Sequence, residues 1–173
     1  MEFQIKPEDL KILFTENQLA QRVKELAEEI NTDYKDCEEL IVVTVLKGSI
    51  IFLSDLIRHI TIPLQVECVR LASYGNSTTT SGKVKPVDLT LPSLREKHVL
   101  VVEDIVDTGL TASFFMDYLK YQHEPASLKI VTLLDKPIKR IKEIKIDYRG
   151  FAVEDQFVIG YGLDYCGLMR NLP

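Results

Sequence analysis

Residues 98–122 read HVLVVEDIVDTGLTASFFMDYLKYQ, and the way this stretch divides decides the fold. Val99, Leu100, Val101 and Val102 form a short, continuous, largely β-branched run, the pattern of a strand buried on both faces of a parallel sheet. The composition then inverts. Glu103, Asp104 and Asp107 place three carboxylates within five residues, and Thr108, Gly109 and Thr111 follow before Phe115, Tyr118 and Leu119 take up helical spacing. A strand, a tight turn carrying the acids and a helix make the first half of a βαβ unit, which predicts an α/β protein with a central, mostly parallel sheet flanked by helices.

In an open α/β sheet the crevice beyond the carboxyl ends of the strands is the usual ligand site. The first helical N–H groups there are unpaired and the helix dipole favours an anion. Asp107 to Thr111 therefore suit a phosphate, with Gly109 permitting close approach and the two threonines adding hydroxyl donors. Carboxylates beside a phosphate repel it unless the ligand also offers hydroxyls or a divalent cation sits between them. A ribose 5-phosphate carrying Mg²⁺ meets both conditions. The chain contains neither G-x-x-x-x-G-K-[ST] nor G-x-G-x-x-G, which excludes the common nucleotide-binding loops. The plainer alternative is a helix start capped by Asp107 or Thr108, its acids solvated. A two-component receiver also sets acids at strand ends, but its acid pair lies on the first strand and this one lies past mid-chain.

Before this stretch, Thr15 to Gln18 has the form of a capping box, and Leu19, Val23, Leu26 and Ile30 recur at helical spacing. Asn31 to Glu39 is polar and turn-like, and Leu40 to Leu46 reads as a second buried strand. That strand ends in Lys47-Gly48-Ser49, with a helix expected over Ile50 to Ile60. A glycine and a lysine between a strand end and a helix suit a second anion; an exposed lysine before an ordinary helix fits the local sequence equally well. Pro63 to Leu71 reads as a strand with Val66, Cys68 and Arg70 on one side. Ser73 to Pro86, SYGNSTTTSGKVKP, is rich in hydroxyls and turn formers and reads as a flexible hairpin or loop. Val87 to Leu91 is a candidate short strand.

After the central helix, Ser127 to Leu134 forms a further apolar strand ending in Asp135-Lys136-Pro137. Lys136 can donate to a ligand carbonyl or simply stand exposed before a proline turn. Pro137 to Lys145 is basic and reads as surface. From Ile146 the chain is β-like and irregular, and Phe157 is either core or a platform for a flat ring.

At 173 residues the chain is expected to form one domain with a substantial core, and 46% apolar with 27% charged residues is an ordinary globular balance. The net charge of -5 argues against general binding to nucleic acid or anionic membranes. No apolar run reaches membrane-spanning length, and Met1 to Lys6 lacks the basic-then-apolar form of a signal peptide, so the cytoplasm is the expected location. Cys37, Cys68 and Cys166 have neither an even count nor C-x-x-C spacing, and His59, His98 and His123 are scattered, which supports neither a disulfide framework nor a zinc site.

VVEDIVDTGLTAS (101–113) resembles the phosphoribosyl-pyrophosphate (PRPP) binding signature of type I phosphoribosyltransferases, and its Glu-Asp-x-x-Asp-Thr-Gly-x-Thr form is similar to the hypoxanthine-guanine members. VLKGS (45–49), LLDKP (133–137) and FVIGYGLDY (157–165) resemble further motifs of that family, in its order, over about Leu13 to Arg170. The resemblance implies the type I phosphoribosyltransferase fold in a single domain over 1–173. It adds a lid loop at about 73–86, closed by a Ser-Tyr pair matching Ser73 and Tyr74, and a base-binding hood from 136–173 with the N-terminal segment. By position it implies that Glu103 and Asp104 meet the ribose hydroxyls directly or through Mg²⁺, and that Asp107 is the general base for the purine N7 proton. The loop Ile105, Val106, Asp107, Thr108, Gly109, Leu110 and Thr111 would hold the 5′-phosphate end. Lys47 and Gly48 would hold pyrophosphate, next to a peptide that is often cis in the family. Lys136 would donate to the base O6, Phe157 would stack, and the Val158 backbone would read the ring edge. Asp164 would help to bind a second Mg²⁺ and Arg170 would face pyrophosphate. The implied reaction gives IMP or GMP and pyrophosphate from PRPP and hypoxanthine or guanine, in a homodimer or homotetramer. Leu110 departs from relatives that carry a basic residue there. A PRPP-sensing regulator on the same fold, or a transferase for xanthine, uracil or adenine, is the alternative; the net acidity disfavours the regulator, and the Lys136 to Asp164 region favours a 6-oxopurine.

Overall fold

A computed structural model describes residues 10–73 and 84–173. In chain order the elements are α1 (Glu16–Asp33), β1 (Leu40–Leu46), α2 (Ile50–Ile57), β2 (Leu64–Ser73), β3 (Val84–Asp88), β4 (His98–Val106), α3 (Leu110–His123), β5 (Ser127–Asp135) and β6 (Tyr148–Ala152), with a short 3₁₀ turn at Pro137–Lys139.

The capping box at the start of α1 is formed: the Gln18 N–H donates to Thr15 Oγ1 at 3.3 Å, and the Thr15 N–H donates to Gln18 Oε1 at 2.9 Å. Leu19, Val23, Leu26 and Ile30 are all buried, as their spacing predicts. Burying such a side chain contributes about 1.5–3 kcal/mol relative to leaving it in water, so this face, more than helix propensity, holds α1.

The sheet has the order β3-β2-β1-β4-β5-β6. Five strands are parallel and β3 runs antiparallel to β2 at one edge. The central strands bury both faces, which is why their sequences are continuous apolar runs. Leu40, Val42, Leu100, Val102, Val131 and Leu133 pack with residues of α1 and α2. Ile41, Val43, Val99, Val101 and Ile130 face the other way, towards Ala112, Phe115 and Leu119 of α3.

Connectivity then places the site. From β1 the chain crosses through α2 to β2 on one side; from the adjacent β4 it crosses through α3 to β5 on the other. The two exits diverge and open a crevice at the carboxyl ends of β1 and β4, the topological switch point where ligands bind in such sheets.

Four expectations about the elements are corrected. The central strand does not stop at Val102 but runs to Val106, so Glu103 and Asp104 are strand residues and the turn is only Asp107 to Gly109. The parallel pairing of Glu103 with Thr132 and of Val106 with Asp135 carries the ladder past the acids. The helix after Ser49 ends at Ile57, before Ile60. The edge strand is Val84–Asp88, offset from Val87 to Leu91, because it pairs with β2 from Ser73↔Val84 to Arg70↔Asp88. Ser73 and residues 84–86 therefore belong to paired antiparallel strands, which agrees with the hairpin alternative for Ser73 to Pro86. The first helix runs on to Asp33, through Asn31 and Thr32, expected as turn, because Thr32 Oγ1 and the backbone still bond within the helix; on β2, Val66, Cys68 and Arg70 share one side as expected, and it is the exposed one, opposite buried Val69.

Candidate active site

The loop after β1 is fixed from beneath. Buried Thr44 Oγ1 and Ser49 Oγ lie 2.7 Å apart, the Ser49 hydroxyl donates to the Val45 carbonyl at 2.5 Å, and the Thr44 hydroxyl donates to the Val102 carbonyl on β4 at 3.3 Å. These bonds tie the Lys47-Gly48 turn to the strand that carries the acids. The Leu46–Lys47 peptide is cis. Lys47 is exposed at the mouth of the crevice and Gly48 is buried.

Gly48 lies directly against Asp104: a Cβ at this position would sit 1.6 Å from Asp104 Oδ2. On its other side a Cβ on Gly162, where φ is +101°, would sit 2.0 Å from the Gly48 carbonyl oxygen. Two glycines thus let the β1 loop, the β4 acids and the C-terminal segment meet at van der Waals distance.

Glu103 is buried, and burial, reinforced by the neighbouring Asp104 charge, pushes its carboxyl well above the ordinary carboxylate range. Asp104 is raised by burial as well, opposed by the N–H groups of Ile105 and of Asp104 itself and by the Arg170 charge; Asp164 adds to the rise. The Ile105 N–H donates to Asp104 Oδ1 at 2.9 Å. Asp107 Oδ1 is buried and, among the described residues, has no hydrogen-bond partner. A bare acceptor of this kind costs free energy unless a ligand supplies a proton donor.

The turn itself is built by Gly109, whose φ of +80° makes it the N-cap of α3. Thr108 Oγ1 accepts from the Leu110 N–H at 3.4 Å, and the Thr108 carbonyl accepts from the N–H groups of Ile141 at 2.9 Å and Lys142 at 3.1 Å. Residues 103–109, Thr111 and Ala112 line a cleft of about 270 Å³. The open N–H groups at the start of α3 and the αL glycine suit an anion.

Lys136 is buried, not exposed; its N–H donates to the Val106 carbonyl at 2.9 Å and its Nζ donates to the Gln156 carbonyl at 2.6 Å. Two ammonium donors remain for other acceptors. This bond brings Lys136 next to Phe157, which is 71% exposed and edge-on to Tyr165 at 5.8 Å between centroids, so Phe157 is a free ring face and not core. Val158 is half-buried against the core. Arg170 Nη1 donates to the Gly162 carbonyl at 2.6 Å and Nη2 pairs with Asp164 at 2.5 Å, while Asp164 Oδ2 accepts from the Gly167 N–H at 2.7 Å. Ser73 ends β2, Tyr74 lies outside the described residues, and so does most of the expected lid.

Among the described residues no three acids, histidines or cysteines converge on one point able to hold a metal. Glu103, buried, and Asp104, half-buried, are instead two neighbouring acids whose mutual repulsion a divalent cation would relieve. That arrangement fits Mg²⁺, which keeps one or two protein carboxylates and takes its other ligands from water and substrate phosphates.

Some of this machinery escaped the sequence reading. Pro137 to Lys145, read as surface, sends two N–H groups to the Thr108 carbonyl, and its Arg140 side chain is only 8% exposed, paired with Asp135. Tyr161 donates to Asp55 at 2.6 Å and ties the C-terminal segment to α2. Nothing in local composition marks these residues, because each is defined by a partner distant in sequence.

Residues 9–166 match the model of the phosphoribosyl transferase domain family. The chain is 45% identical over 163 residues to the hypoxanthine-guanine phosphoribosyltransferase of Bacillus subtilis, covering 94% of this chain and 89% of that protein. A crystal structure of a Bacillus anthracis hypoxanthine-guanine phosphoribosyltransferase superimposes with a TM-score of 0.88 at 44% identity, covering 94% of this chain and 95% of the other. A Trypanosoma cruzi hypoxanthine phosphoribosyl transferase, studied for the role of its C-terminal region in oligomeric state and activity, gives 0.87 at 40% identity and covers 99% and 91%. With the crevice, both loops and the Lys136–Phe157 pair in place, the chain belongs to the phosphoribosyltransferase family, in its hypoxanthine-guanine branch.

Proposed function

We propose that this protein transfers the 5-phosphoribosyl group of PRPP to N9 of hypoxanthine or guanine, giving IMP or GMP and pyrophosphate, a purine-salvage reaction. The observation that carries the reading is the meeting of two anion-binding loops at one acid pair: Gly48 packs on Asp104, and the Gly109 turn follows five residues later on the same strand-turn-helix.

In the reaction the bond from C1′ to the pyrophosphate oxygen breaks, the bond from C1′ to N9 forms, and the proton on N7 leaves the purine. The N–H groups at the start of α3 seat the 5′-phosphate, with the Leu110 N–H exchanging its long bond to Thr108 Oγ1 for the anion, and the Lys47-Gly48 turn with Arg170 receives pyrophosphate. Glu103 and Asp104 hold the ribose hydroxyls and, with Asp164 nearby, fix the sugar against the loops. The bare Asp107 Oδ1 accepts the N7 proton, which raises the nucleophilicity of N9 as positive charge grows on the ribose. Lys136 donates to O6 and has no acceptor to offer a 6-amino group, so adenine is rejected. Phe157 stacks on the base and the Val158 backbone reads its edge. Mg²⁺ bound with the substrate at Glu103 and Asp104, and a second ion near Asp164, would neutralise the leaving pyrophosphate.

Ser73 to Pro86 would close over the site as a lid, and residues from 136 onward with the N-terminal segment would form the hood of a single domain. The three free cysteines suit a reducing compartment, the cytoplasm, and no helix among the described residues is long and apolar enough to cross a membrane. The working form is a homodimer or homotetramer.

The test is nucleotide formation from PRPP and Mg²⁺ with hypoxanthine, guanine, xanthine, adenine and uracil offered separately. Turnover with hypoxanthine or guanine alone is expected. PRPP binding without turnover on any base would reassign the chain as a sensor of that ligand.

A further inference from the structure

Behind the Gly109 turn lies a buried charged group that the reaction described above does not use. Arg140 is 8% exposed at its side chain and Asp135 is 1% exposed. Asp135 Oδ1 pairs with Arg140 Nη2, and Asp135 Oδ2 pairs with Arg149 Nε at 2.9 Å. Arg149 is 54% exposed and solvated, so the buried pair is Arg140 with Asp135, one charge to one, and what the interior leaves unmet is a polar atom of the guanidinium. Arg140 Nη1 is buried and has no hydrogen-bond partner among the described residues. It is also close to the turn: a Cβ on Gly109 would meet Arg140 Cδ at 2.9 Å and Nη1 at 3.3 Å.

We propose that Arg140 is a positioning residue for the phosphate of the phosphoribosyl substrate, a guanidinium sealed behind the Gly109 turn whose unpartnered Nη1 faces an anion seated in that turn. The inference rests on the proposed PRPP reading of the site. A charge withdrawn from water is weakly screened and acts through the thickness of one peptide turn. Its sign adds to that of the α3 N-terminus, so a phosphate in the turn answers both at once. This supplies from behind the cation that Leu110 does not offer from the loop itself. The same residues also set geometry. Asp135 is followed by Lys136, whose N–H bonds the Val106 carbonyl, and Arg140 is followed by Ile141 and Lys142, whose N–H groups bond the Thr108 carbonyl. The Arg140–Asp135 pair thus holds the base end and the phosphate end of the site in register.

The test compares Arg140→Met with Arg140→Lys. Steady-state kinetics give KM for PRPP and for hypoxanthine, and calorimetry gives Kd for ribose 5-phosphate. For Arg140→Met, KM for PRPP and Kd for ribose 5-phosphate should each rise about tenfold, the effect of losing one weakly screened charge contact. KM for hypoxanthine should stay within about twofold, and Arg140→Lys should restore phosphate affinity to within about threefold of the parent. Equal increases in both KM values, an unchanged Kd for ribose 5-phosphate, or Arg140→Lys as impaired as Arg140→Met would overturn the proposal in favour of a purely structural ion pair. If Arg140→Met does not fold, Arg140→Lys decides alone: a loss of ribose 5-phosphate affinity of about tenfold or more refutes it. Should the parent protein bind ribose 5-phosphate yet form no nucleotide, the enzymatic reading fails while the calorimetric comparison still judges Arg140.

Discussion

Replacing Gly48 by alanine tests whether the contact between the β1 loop and the β4 acids is what makes the site. The new methyl group would begin 1.6 Å from Asp104 Oδ2 and 2.6 Å from its Cγ, against about 3.4 Å for ordinary contact, so roughly 1.8 Å of separation must be found. The loop cannot retreat freely, because Gly162 already touches the Gly48 carbonyl and the Ser49 hydroxyl pins the turn to the Val45 carbonyl. The Asp104 carboxylate must therefore swing away and give up its 2.9 Å bond from the Ile105 N–H. A short side chain moved off its rotamer costs about 0.5–1.5 kcal/mol, which lowers Tm by only a few degrees in a chain of this size. Catalysis should suffer far more. A reacting group misplaced by about 1 Å loses on the order of a hundredfold, about 2.7 kcal/mol of barrier. The assay is initial-rate IMP formation with PRPP varied at saturating hypoxanthine and Mg²⁺, beside a calorimetric melt of the same sample. We expect kcat/KM for PRPP to fall about a hundredfold while Tm moves by about 5 °C or less. A variant within about threefold of the parent would refute the role given to the Gly48–Asp104 contact.

Asp107→Asn keeps the shape of the turn but removes the proton acceptor; kcat should fall by about a hundredfold or more with PRPP affinity retained, and near-parental turnover would end its assignment as general base. Lys136→Met loses the Nζ–Gln156 bond and the donor expected at O6, so KM for hypoxanthine should rise about tenfold or more and that for PRPP little; equal shifts in a two-substrate analysis would reject the assignment. Burial holds the Tyr34 hydroxyl up to about 12 and raises Tyr148 and Tyr161 still further, with Asp33 and Asp55 accepting from the latter two. The folded form keeps these protons longer than the unfolded chain, so their stabilisation is complete below about pH 10, the unfolded tyrosine value, and is lost as pH rises through the folded values. In a spectrophotometric titration their phenolate absorbance should appear only together with unfolding; early ionisation of all seven tyrosines in the folded protein would show that burial has no such effect.

The elements legible in the sequence are those whose signal is local. Leu40 to Leu46 and Ser127 to Leu134 match their strands to within a residue, because burial on both faces leaves an unbroken apolar run, and the Thr15 box with its apolar stripe gives the start and the buried face of α1. The motif residues of the crevice were legible for the same reason: a glycine at a strand end and hydroxyls at a helix start are decided by backbone chemistry within a few residues. The acid pair was misplaced into the turn because carboxylates weaken a strand signal. Here pairing with β5 overrides it and takes Glu103 into the interior. Arg140 was read as surface because four basic residues in Pro137 to Lys145 resemble a solvated face; only its packing with Asp135 shows otherwise.

By itself, then, the sequence determined an α/β chain with glycine turns after two of its strands, since strand burial, helix spacing and glycine turns follow from the period and conformational freedom of neighbouring residues. Only the tertiary structure decided that the two turns share one crevice, that Gly48 rests on Asp104, and that Lys136 and Arg140 are buried on either side of the second turn. Those facts depend on which strand lies beside which and on the opposite crossings of α2 and α3, and no local pattern carries them, because the free energy of burying a charge is set by the partner that arrives from elsewhere in the chain.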